Sequence, residues 1–489
     1  MEQQPILLVQ GEENWLQVEN AAQNTVVQIF AQIGQFNWAE PYKIKAQYES
    51  RGTGFFINDQ GYLVTNAHVV NEAKTVWITI PALGRETIRV EIVGFCPDRD
   101  LALLRIKPED LERVKEKLGR VPFLMLGDSN TIHRTNKILV LGYPLGQHRM
   151  KSMTGVISGR EAVDSISYIQ ITAPINPGSS GGPLIASDGT VVGVAVAVAA
   201  DAFNVGYAIP VNELKVIFES LLEEKLFRKP VLGGHFHNAT DDYARFLGNP
   251  LPAGLYVHKV FKGSMLDKAG VFPGDMIYQI NGHALDSHGE VTVSWSAEKI
   301  SLYDLISSLV IGKKVDLILY RLGKKQEISF VFEKSRPYSV RVKFPDYEKI
   351  EHEVIGGMVV MELTHNHLQD LIQNVPFLIR YKKIENMLDP VLVVSHILPG
   401  SQAQKLRCLI PGDIIKELNG ESVGTIEQFR DVLRKGTKSE FISLKTAGDV
   451  FAVFNLKEII SEEERLSFDF AYPLTQVVRE LLDVLSNGE

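Results

Sequence analysis

A serine between paired glycines is the residue of this chain best suited to nucleophilic chemistry. The segment NPGSSGGPL spans residues 176–184 and places Ser180 directly before two glycines. A serine hydroxyl becomes a nucleophile when a base lies beside it, and glycines let the backbone turn tightly enough to aim N–H groups at a developing oxyanion. Ser180 is therefore the candidate nucleophile.

A histidine and an aspartate upstream supply a base and a group to orient it. His68 lies in TNAHVV at the end of a β-type run, a setting it alone has among the twelve histidines. Asp100 lies in DRDLALL, on a predicted strand. Its rival Asp98 would lie on the same face of that strand, but the apolar run LALL starts directly after Asp100. A buried carboxylate needs a partner such as an imidazole N–H. The order His68, Asp100, Ser180 is that of chymotrypsin-type serine proteases.

Short β-branched segments separated by glycines surround these residues and must position them. From about residue 25 to residue 210 the chain passes through segments such as VVQIF, GYLVTN, TVWITI, KILVLGY and TVVGVAVAVA. Many short strands with frequent turns predict closed or sandwiched antiparallel sheets, and two β-barrels fit their number. A surface helix is predicted in PEDLERVKEKLG, and the pattern of VNELKVIFESLLEEKL predicts a helix that leaves this region.

Composition limits the class of protein. A chain of 489 residues is expected to form two to four domains, and 45% hydrophobic with 22% charged residues is typical of globular proteins. The net charge of -8, without a run of five like charges, gives no support for a nucleic-acid partner. The two cysteines, Cys96 and Cys408, favour a reducing compartment over a disulfide framework.

The N-terminal sequence bears on the compartment. MEQQPILLVQGEENW lacks the basic start and the long apolar run of a secretory signal. A cytoplasmic or organelle-matrix protein is expected if Met1 is the natural start, and a periplasmic one if a leader was removed. No stretch of the sequence approaches the length of a transmembrane helix, so no membrane span is expected.

An internal repeat lies in the C-terminal half. Residues 257–282 and 394–420 share GS, PGD-x-I and NG in the same order, which predicts a strand, a short helix, a turn and a strand in each copy. Repetition of a unit of roughly a hundred residues indicates two tandem domains. Inserts lengthen both copies, and the second, residues 364–388, could cover the groove of its module. The terminal segment AYPLTQVVRELLDVLSNGE predicts an amphipathic helix that packs on its own domain, with docking or oligomer contact as alternatives.

The motifs resemble those of the HtrA/Deg family of serine proteases with two PDZ domains. TNAHVV resembles the family's TN-x-HVV, DLALL its D-I/L-A-L, and INPGSSGGPL its IN-x-GNSGG-x-L. The segments GYPLG, QYESRGTGFFI and PVLGG look most like the plant-type Deg subgroup and its bacterial relatives. The resemblance implies a mainly β fold, with a chymotrypsin-like double β-barrel followed by two PDZ (α+β) domains.

The domain boundaries follow from this resemblance and from the change of pattern at RKP. We expect an N-terminal segment, a trypsin-like serine protease domain, a first PDZ domain, and a divergent second PDZ domain with an insert and a C-terminal helix. Their predicted ranges are 1–23, 24–227, 228–338 and 339–489.

The resemblance also assigns roles in the catalytic segment. His68 would be the general base, Asp100 would orient it, Ser180 would attack the scissile carbonyl, and the N–H groups of Gly178, Ser179 and Ser180 would form the oxyanion hole. The chain departs from the family at three positions in or before this loop, which are Thr172, Pro174 and Ser179. We therefore predict an intact triad whose activity depends on ordering of the loop.

The predicted substrate pocket is small and apolar. No acid lies between Thr172 and Gly178, so a Lys or Arg side chain would find no counter-charge. Ile175 with Ala195, Val196 and Ala197 would favour Val, Ile, Ala or Leu before the scissile bond.

A PDZ domain adds an extended peptide as a strand and receives its carboxylate in a glycine loop. In the first copy the loop would be formed by Val231, Leu232, Gly233 and Gly234, and in the second by residues 355–358. Two histidine pairs, at residues 235 and 237 and at 365 and 367, lack the other ligands of a zinc site, so no metal and no cofactor is predicted.

The resulting hypothesis is an ATP-independent serine endopeptidase for unfolded or damaged proteins, acting in protein quality control. The family resemblance implies a homotrimer or a multiple of trimers, and peptide C-termini or internal strands as partners of the first PDZ domain. The alternative is a PDZ-containing chaperone or scaffold with little or no proteolytic activity.

Overall fold

The computed structural model describes residues 15–163, 166–196, 205–296, 298–335, 337–436 and 439–486. The chain divides into two compact units, one formed by residues 1–33 and 49–336 and the other by residues 34–48 and 337–489. Residues 34–48 belong to the sequence range predicted for the protease domain, yet they group with the C-terminal unit. In the described part of the chain, no helix is both long and apolar enough to cross a membrane.

The strands between residues 26 and 210 form two closed antiparallel barrels, which confirms the double-barrel prediction. The first has the order β1-β2-β3-β6-β5-β4 and the second β10-β11-β12-β9-β8-β7. The strands of the first are β1 (Val26–Phe36), β2 (Ile44–Phe56), β3 (Tyr62–Thr65), β4 (Ala73–Thr79), β5 (Thr87–Cys96) and β6 (Leu101–Ile106). Those of the second are β7 (Lys137–Gly142), β8 (Lys151–Val163), β9 (Ile166–Ile171), β10 (Pro183–Ala186), β11 (Val191–Val196) and β12 (Gly206–Pro210).

In the described part of this region, four α-helices accompany the barrels. They are α1 (Trp15–Ala22), α2 (Ala67–Val70), α3 (Pro108–Leu118) and α4 (Val211–Glu223). The predicted surface helix is α3, which starts at a proline and ends before Gly119. One apolar cluster joins side chains of both barrels and of α4, among them Phe55, Leu141 and Leu214. The barrels therefore share a core, and loops from both can meet above it.

The first module after the barrels is an antiparallel sheet with the order β13-β14-β15-β19-β20, to which β16 adds at β15. The elements are β13 (Gly234–His237), α5 (Asp241–Phe246), β14 (Leu255–Val260), α6 (Met265–Lys268), β15 (Met276–Ile280), β16 (His283–Ala284), β17 (Glu290–Val291), β18 (Ile300–Ser301), α7 (Leu302–Ser307), β19 (Lys314–Arg321) and β20 (Lys324–Val331). The predicted insert forms the ribbon of β17 and β18 and the helix α7, and its apolar side chains pack into the core of the module.

The C-terminal unit contains the second sheet, with the order β21-β22-β23-β24-β26-β27 and β25 beside β24. Its elements are β21 (His352–Ile355), β22 (Met358–Glu362), α8 (His365–Leu371), β23 (Leu392–Ile397), α9 (Gln402–Leu406), β24 (Ile414–Leu418), β25 (Glu421–Ser422), α10 (Ile426–Lys435), β26 (Phe441–Thr446), β27 (Phe451–Asn455), α11 (Leu456–Phe470) and α12 (Gln476–Ser486). The two sheets with their helices fit PDZ domains. As predicted, the terminal helix packs on its own unit, where Val477 and Leu481 are buried.

The insert of residues 364–388 forms α8 and two 3-10 turns, Pro376–Lys382 and Ile384–Asn386. Its apolar side chains share a cluster with Trp38, Val393 and Ile414. Trp38 comes from the segment 34–48 and meets the ring of His367 edge-on, at 5.1 Å between centroids. The insert thus packs around this tryptophan.

Candidate active site

His68 and Asp100 form a closely bonded pair. Asp100 accepts hydrogen bonds from the backbone N–H of His68 through Oδ1 at 2.9 Å and faces the ring Nδ1 of His68 through Oδ2 at 2.8 Å. The pair fixes the imidazole at two points, the backbone and the ring. Because Nδ1 faces a carboxylate, it carries the proton, and Nε2 is left as the basic nitrogen.

The local structure around Asp100 differs from the strand that the sequence suggested. Pro97–Arg99 is a 3-10 turn, Asp100 follows it with φ 51 and ψ 43, and β6 starts only at Leu101. The Asn66 side-chain amide donates to the Asp100 carbonyl at 3.0 Å. The rival carboxylate, Asp98, instead accepts from the Lys229 N–H at 2.9 Å. The choice of Asp100 over Asp98 thus agrees with the geometry, although the strand assignment was wrong.

Ser180 lies in the connection between β9 and β10 and is 3% exposed. Its carbonyl accepts a hydrogen bond from the Thr53 N–H at 2.8 Å. A Cβ added to the next residue, Gly181, would lie 2.3 Å from Thr65 Oγ1. Thr65 ends β3, three residues before His68. The loop with the serine therefore packs against the end of the strand that leads into the histidine, and glycine is required there because of this close approach.

A hydrogen bond fixes the orientation of the peptide between Pro177 and Gly178, whose N–H is a predicted oxyanion donor. The Pro177 carbonyl accepts from the Leu145 N–H at 2.6 Å. In a planar trans peptide the N–H points away from the C=O, so the Gly178 N–H points to the side opposite Leu145. Gly178 has φ 96, and a Cβ there would lie 2.5 Å from the Tyr143 carbonyl oxygen. Only glycine suits this position.

Ser179 differs from its two neighbours in the loop. Its N–H donates to the Asn176 carbonyl at 2.9 Å and is thereby engaged in a turn. The prediction that all three N–H groups contribute to the hole is therefore narrowed to Gly178 and Ser180. The Ser179 hydroxyl is buried and has no hydrogen-bond partner among the described residues.

The predicted pocket residues separate into two groups. Ile175 and Ala195 belong to the same apolar cluster inside the second barrel. Val196, the next residue of β11, belongs to the cluster shared by both barrels. Successive side chains of a strand point to opposite faces, so Val196 does not line the pocket with Ala195. Ala197 lies outside the described residues. Gly206 lies beside Ile175, since a Cβ there would lie 2.8 Å from Ile175 Cγ1.

Thr53 and Arg99 are structurally important residues that the sequence analysis did not single out. Thr53 is fully buried, and its hydroxyl donates to the Gly178 carbonyl at 2.7 Å and accepts from the Tyr143 N–H at 3.0 Å. Arg99 is 4% exposed, and its Nη2 donates to the Ser307 carbonyl at 2.7 Å. Thr53 lies in the motif GTGFFI, which the sequence analysis did quote. The only sequence signal for Arg99 was its position beside Asp100.

The predicted peptide loop of the first module lies where β13 begins. Val231 is half-exposed and Leu232 is buried, and Gly233 has φ 86. A Cβ on Gly233 would lie 2.2 Å from the Ser264 Cβ, so glycine is needed there as well. Gly234 pairs with Val260 in the sheet.

Comparison with known proteins agrees with the fold. Residues 52–194 match the family described as trypsin-like peptidase domain. The chain is 28% identical over 415 residues to a probable periplasmic serine endoprotease DegP-like of Chlamydia trachomatis, a match that covers 83% of this chain and 74% of the relative. The corresponding protein of Marinomonas sp. is 26% identical over 417 residues, 84% of this chain and 79% of the relative. The solved HtrA-type protease AlgW with tripeptide has a TM-score of 0.51 and 23% identity, covering 66% of this chain and 98% of that one, and shows the shared fold.

The fold and the matched family define a serine endopeptidase with a trypsin-like protease domain. More closely, the chain is similar over most of its length to DegP-like serine endoproteases, and its fold is similar to that of an HtrA-type protease. These similarities do not single out the plant-type subgroup, which stays a prediction.

Proposed function

We propose that this endopeptidase cleaves unfolded or damaged proteins through His68, Asp100 and Ser180, without ATP. His68 Nε2 takes the proton of the Ser180 hydroxyl as Ser180 Oγ attacks the scissile carbonyl, and Asp100 stabilises the imidazolium that forms. His68 then gives the proton to the leaving amine, which leaves an acyl-serine for water to hydrolyse. The observation that carries the proposal is the double contact of Asp100 with the ring and the backbone N–H of His68.

The oxyanion hole in this proposal consists of the N–H groups of Gly178 and Ser180. The hydrogen bond from Leu145 to Pro177 supports the donor orientation of the Gly178 peptide. N–H groups aimed in advance at the developing oxyanion provide a large part of the rate enhancement in acyl transfer.

We place the specificity pocket around Ile175 and Ala195. Both belong to an apolar cluster. An aliphatic side chain of moderate size gains from burial there, whereas a charged one would lose its hydration without compensation. Cleavage after Val, Ile, Ala or Leu follows.

Ordering of the loop would control the activity. Thr172 accepts a hydrogen bond from the Val156 N–H at 2.9 Å through Oγ1, which holds the start of the segment on β8. The buried Ser179 hydroxyl has no hydrogen-bond partner among the described residues, which would cost about 1–3 kcal/mol in the ordered form. That cost, together with the exposed Pro174, brings the ordered and collapsed forms closer in free energy.

The remaining parts of the proposal concern assembly and domains. The first PDZ module, residues 228–338, would bind peptide C-termini or internal strands at residues 231–234, and the second, residues 339–489, would follow it. A homotrimer or a multiple of trimers is proposed from the family resemblance. The relatives named above are described as periplasmic, so a periplasmic location is proposed if a leader precedes the mature chain.

Denatured casein and a fluorophosphonate probe test the proposal together. The parent chain is expected to cleave casein and to label at Ser180, and Ser180→Ala is expected to do neither. Ser179→Ala is the matched control, because it removes the neighbouring hydroxyl and leaves both oxyanion donors. Labelling without cleavage would mean a functional triad with another substrate class, and absence of both under activating conditions would favour the chaperone or scaffold alternative.

A further inference from the structure

The two PDZ-like modules have glycine loops of the same geometry. Gly233 in the first and Gly357 in the second have φ 86 and φ 82. The Gly233 carbonyl accepts from the Phe261 N–H at 2.9 Å, and the Gly357 carbonyl accepts from the Leu398 N–H at 2.8 Å. The loops are therefore equivalent, and the N–H groups of the second correspond to those with which a PDZ module holds a peptide carboxylate.

A carboxylate of the same chain already occupies the second loop. Glu463 on α11 accepts a hydrogen bond from the Gly356 N–H through Oε1 at 2.6 Å. The Tyr472 hydroxyl donates to its Oε2 at 2.6 Å. Glu463 is fully buried. A buried carboxylate is tolerated only when its oxygens are hydrogen-bonded, and here both oxygens accept.

An apolar side chain lies one helical turn before this carboxylate. Ile459 and Glu463 are four residues apart on α11 and so share a face. A Cβ placed on Gly356 would lie 3.2 Å from Ile459 Cγ2. Ile459 is 1% exposed and belongs to the same core cluster as Ile355 and Met358, the residues that flank the two glycines. The helix therefore brings an apolar side chain and a carboxylate to the loop, which are the two features of a peptide C-terminus.

We propose that α11 is an internal ligand that closes the peptide site of the second module, with Glu463 in the place of a terminal carboxylate and Ile459 in the place of the last apolar side chain. With α11 displaced, the site would take a peptide with a free α-carboxylate and an aliphatic last residue. The proposal depends on the PDZ-like character of residues 339–489 and is independent of the peptidase activity.

Burial of the Glu463 carboxyl group opposes this closure when the group is ionised. Burial raises the pKa of Glu463 to about 7, and the hydrogen bonds from Tyr472 and Gly356 act in the opposite direction. Near neutral pH the docked helix therefore holds a carboxyl group that is costly to ionise. A competing peptide therefore has to overcome only the net free energy with which α11 docks on the glycine loop.

Hydrogen exchange on the full chain with Ser180→Ala, which prevents self-cleavage, tests the closure. Glu463→Ala is expected to speed exchange of the amides of residues 356–358 and 456–470 by about tenfold or more. Tyr472→Phe removes one hydrogen bond and keeps the ring, so a smaller increase in the same amides is expected. Glu464→Ala, on the exposed face of α11, is the control that should resemble the parent.

The ligand class is tested in the opened variants with decapeptides that end in Ala-Leu-Val. The free-carboxylate form is expected to restore protection of residues 356–358, and the C-terminally amidated form is not. Equal protection by both forms, or by neither, would overturn the proposed ligand class. Unchanged exchange in Tyr472→Phe and in every folded Glu463→Ala sample would overturn the closure itself. Because Ser180 is absent, neither result bears on the peptidase proposal.

Discussion

The hydroxyl of Thr53 donates a hydrogen bond of 2.7 Å to the carbonyl of Gly178. Thr53 lies near the end of β2 in the first barrel, while Gly178 is in the loop of the second barrel that carries the proposed oxyanion donors. The same hydroxyl accepts from the Tyr143 N–H, and the Thr53 N–H donates to the Ser180 carbonyl. One buried residue of the first barrel thus holds the proposed catalytic loop at several points.

Thr53→Val is expected to lower kcat for peptide cleavage. The substitution keeps the shape of the side chain but leaves the Gly178 carbonyl and the Tyr143 N–H without their partner, at about 1–3 kcal/mol for each buried group. A fall in kcat by about ten- to a hundredfold with little change in KM would show that the loop has lost its alignment. Thr53→Ser retains the hydroxyl and should restore most of the rate. Equal activity of both variants would contradict this role.

Asp100→Asn is expected to lower kcat on the order of 10⁴-fold with the fold intact, because an amide favours the wrong tautomer of His68. Steady-state kinetics on a peptide substrate measure the loss. Asp98→Asn is the matched control, since Asp98 bonds to the Lys229 N–H and not to the histidine. A similar loss in both variants would contradict the assignment of the pair.

Arg99→Ala is expected to destabilise the protein by about 3 kcal/mol or more, as removal of one partner from a buried ion pair leaves the other charge unpaired. Arg99 forms an ion pair with Glu213, whose pKa is raised by burial, and donates to the Ser307 carbonyl. Urea unfolding measures the change. Arg99→Met combined with Glu213→Gln removes both charges and should lose less than the single variant. A larger loss in the double variant would argue against the pair as the main contribution.

Ile175→Ala is expected to shift cleavage towards larger apolar residues. Removing methylenes from the pocket changes discrimination by about 1–3 kcal/mol, so the ratio of kcat/KM for a Phe over a Val peptide should rise by about tenfold. Leu184→Ala, at a buried position of β10 in the same cluster, is a control for loosening of the barrel as a whole. An unchanged ratio, or a clear preference of the parent for Arg, would place the pocket elsewhere.

Docking of α11 is expected to weaken as pH rises. The pKa of Glu463 is about 7 in the folded chain against an ordinary value of 4.5, so the folded form holds an extra proton between these values and its stability falls as pH rises through this window. The facing groups are Tyr472 and Glu353, and Glu353 in turn pairs with Arg430. Amide protection of residues 456–470, corrected for intrinsic exchange, should decrease from pH 5 to pH 8 in the parent. Each unit of pKa shift corresponds to a change of about 1.4 kcal/mol in the stability of the docked helix. Glu463→Gln should abolish this trend; its persistence would assign the pH dependence to another group.

The amino-acid sequence alone was sufficient to predict the double barrel, the order of the three candidate catalytic residues and the tandem repeat. Strand alternation, glycine turns and motif spacing are local properties, so they can be recognised without knowledge of the fold. The same local reasoning placed Asp100 on a strand, where the structure has a 3-10 turn and a left-handed residue. It also placed Val196 in the pocket, although β11 turns that side chain into the shared core.

Tertiary structure decided which distant groups meet. Thr53 contacts Gly178 across 125 residues, Arg99 contacts Ser307 across 208, and Glu463 reaches Gly356 across 107. Each of these contacts joins a buried polar group to a backbone N–H or C=O. Every residue except proline has both backbone groups, so no residue type or spacing identifies the partner in the sequence. Only the packing of strands and helices determines which backbone group stays unpaired and close enough to accept or donate.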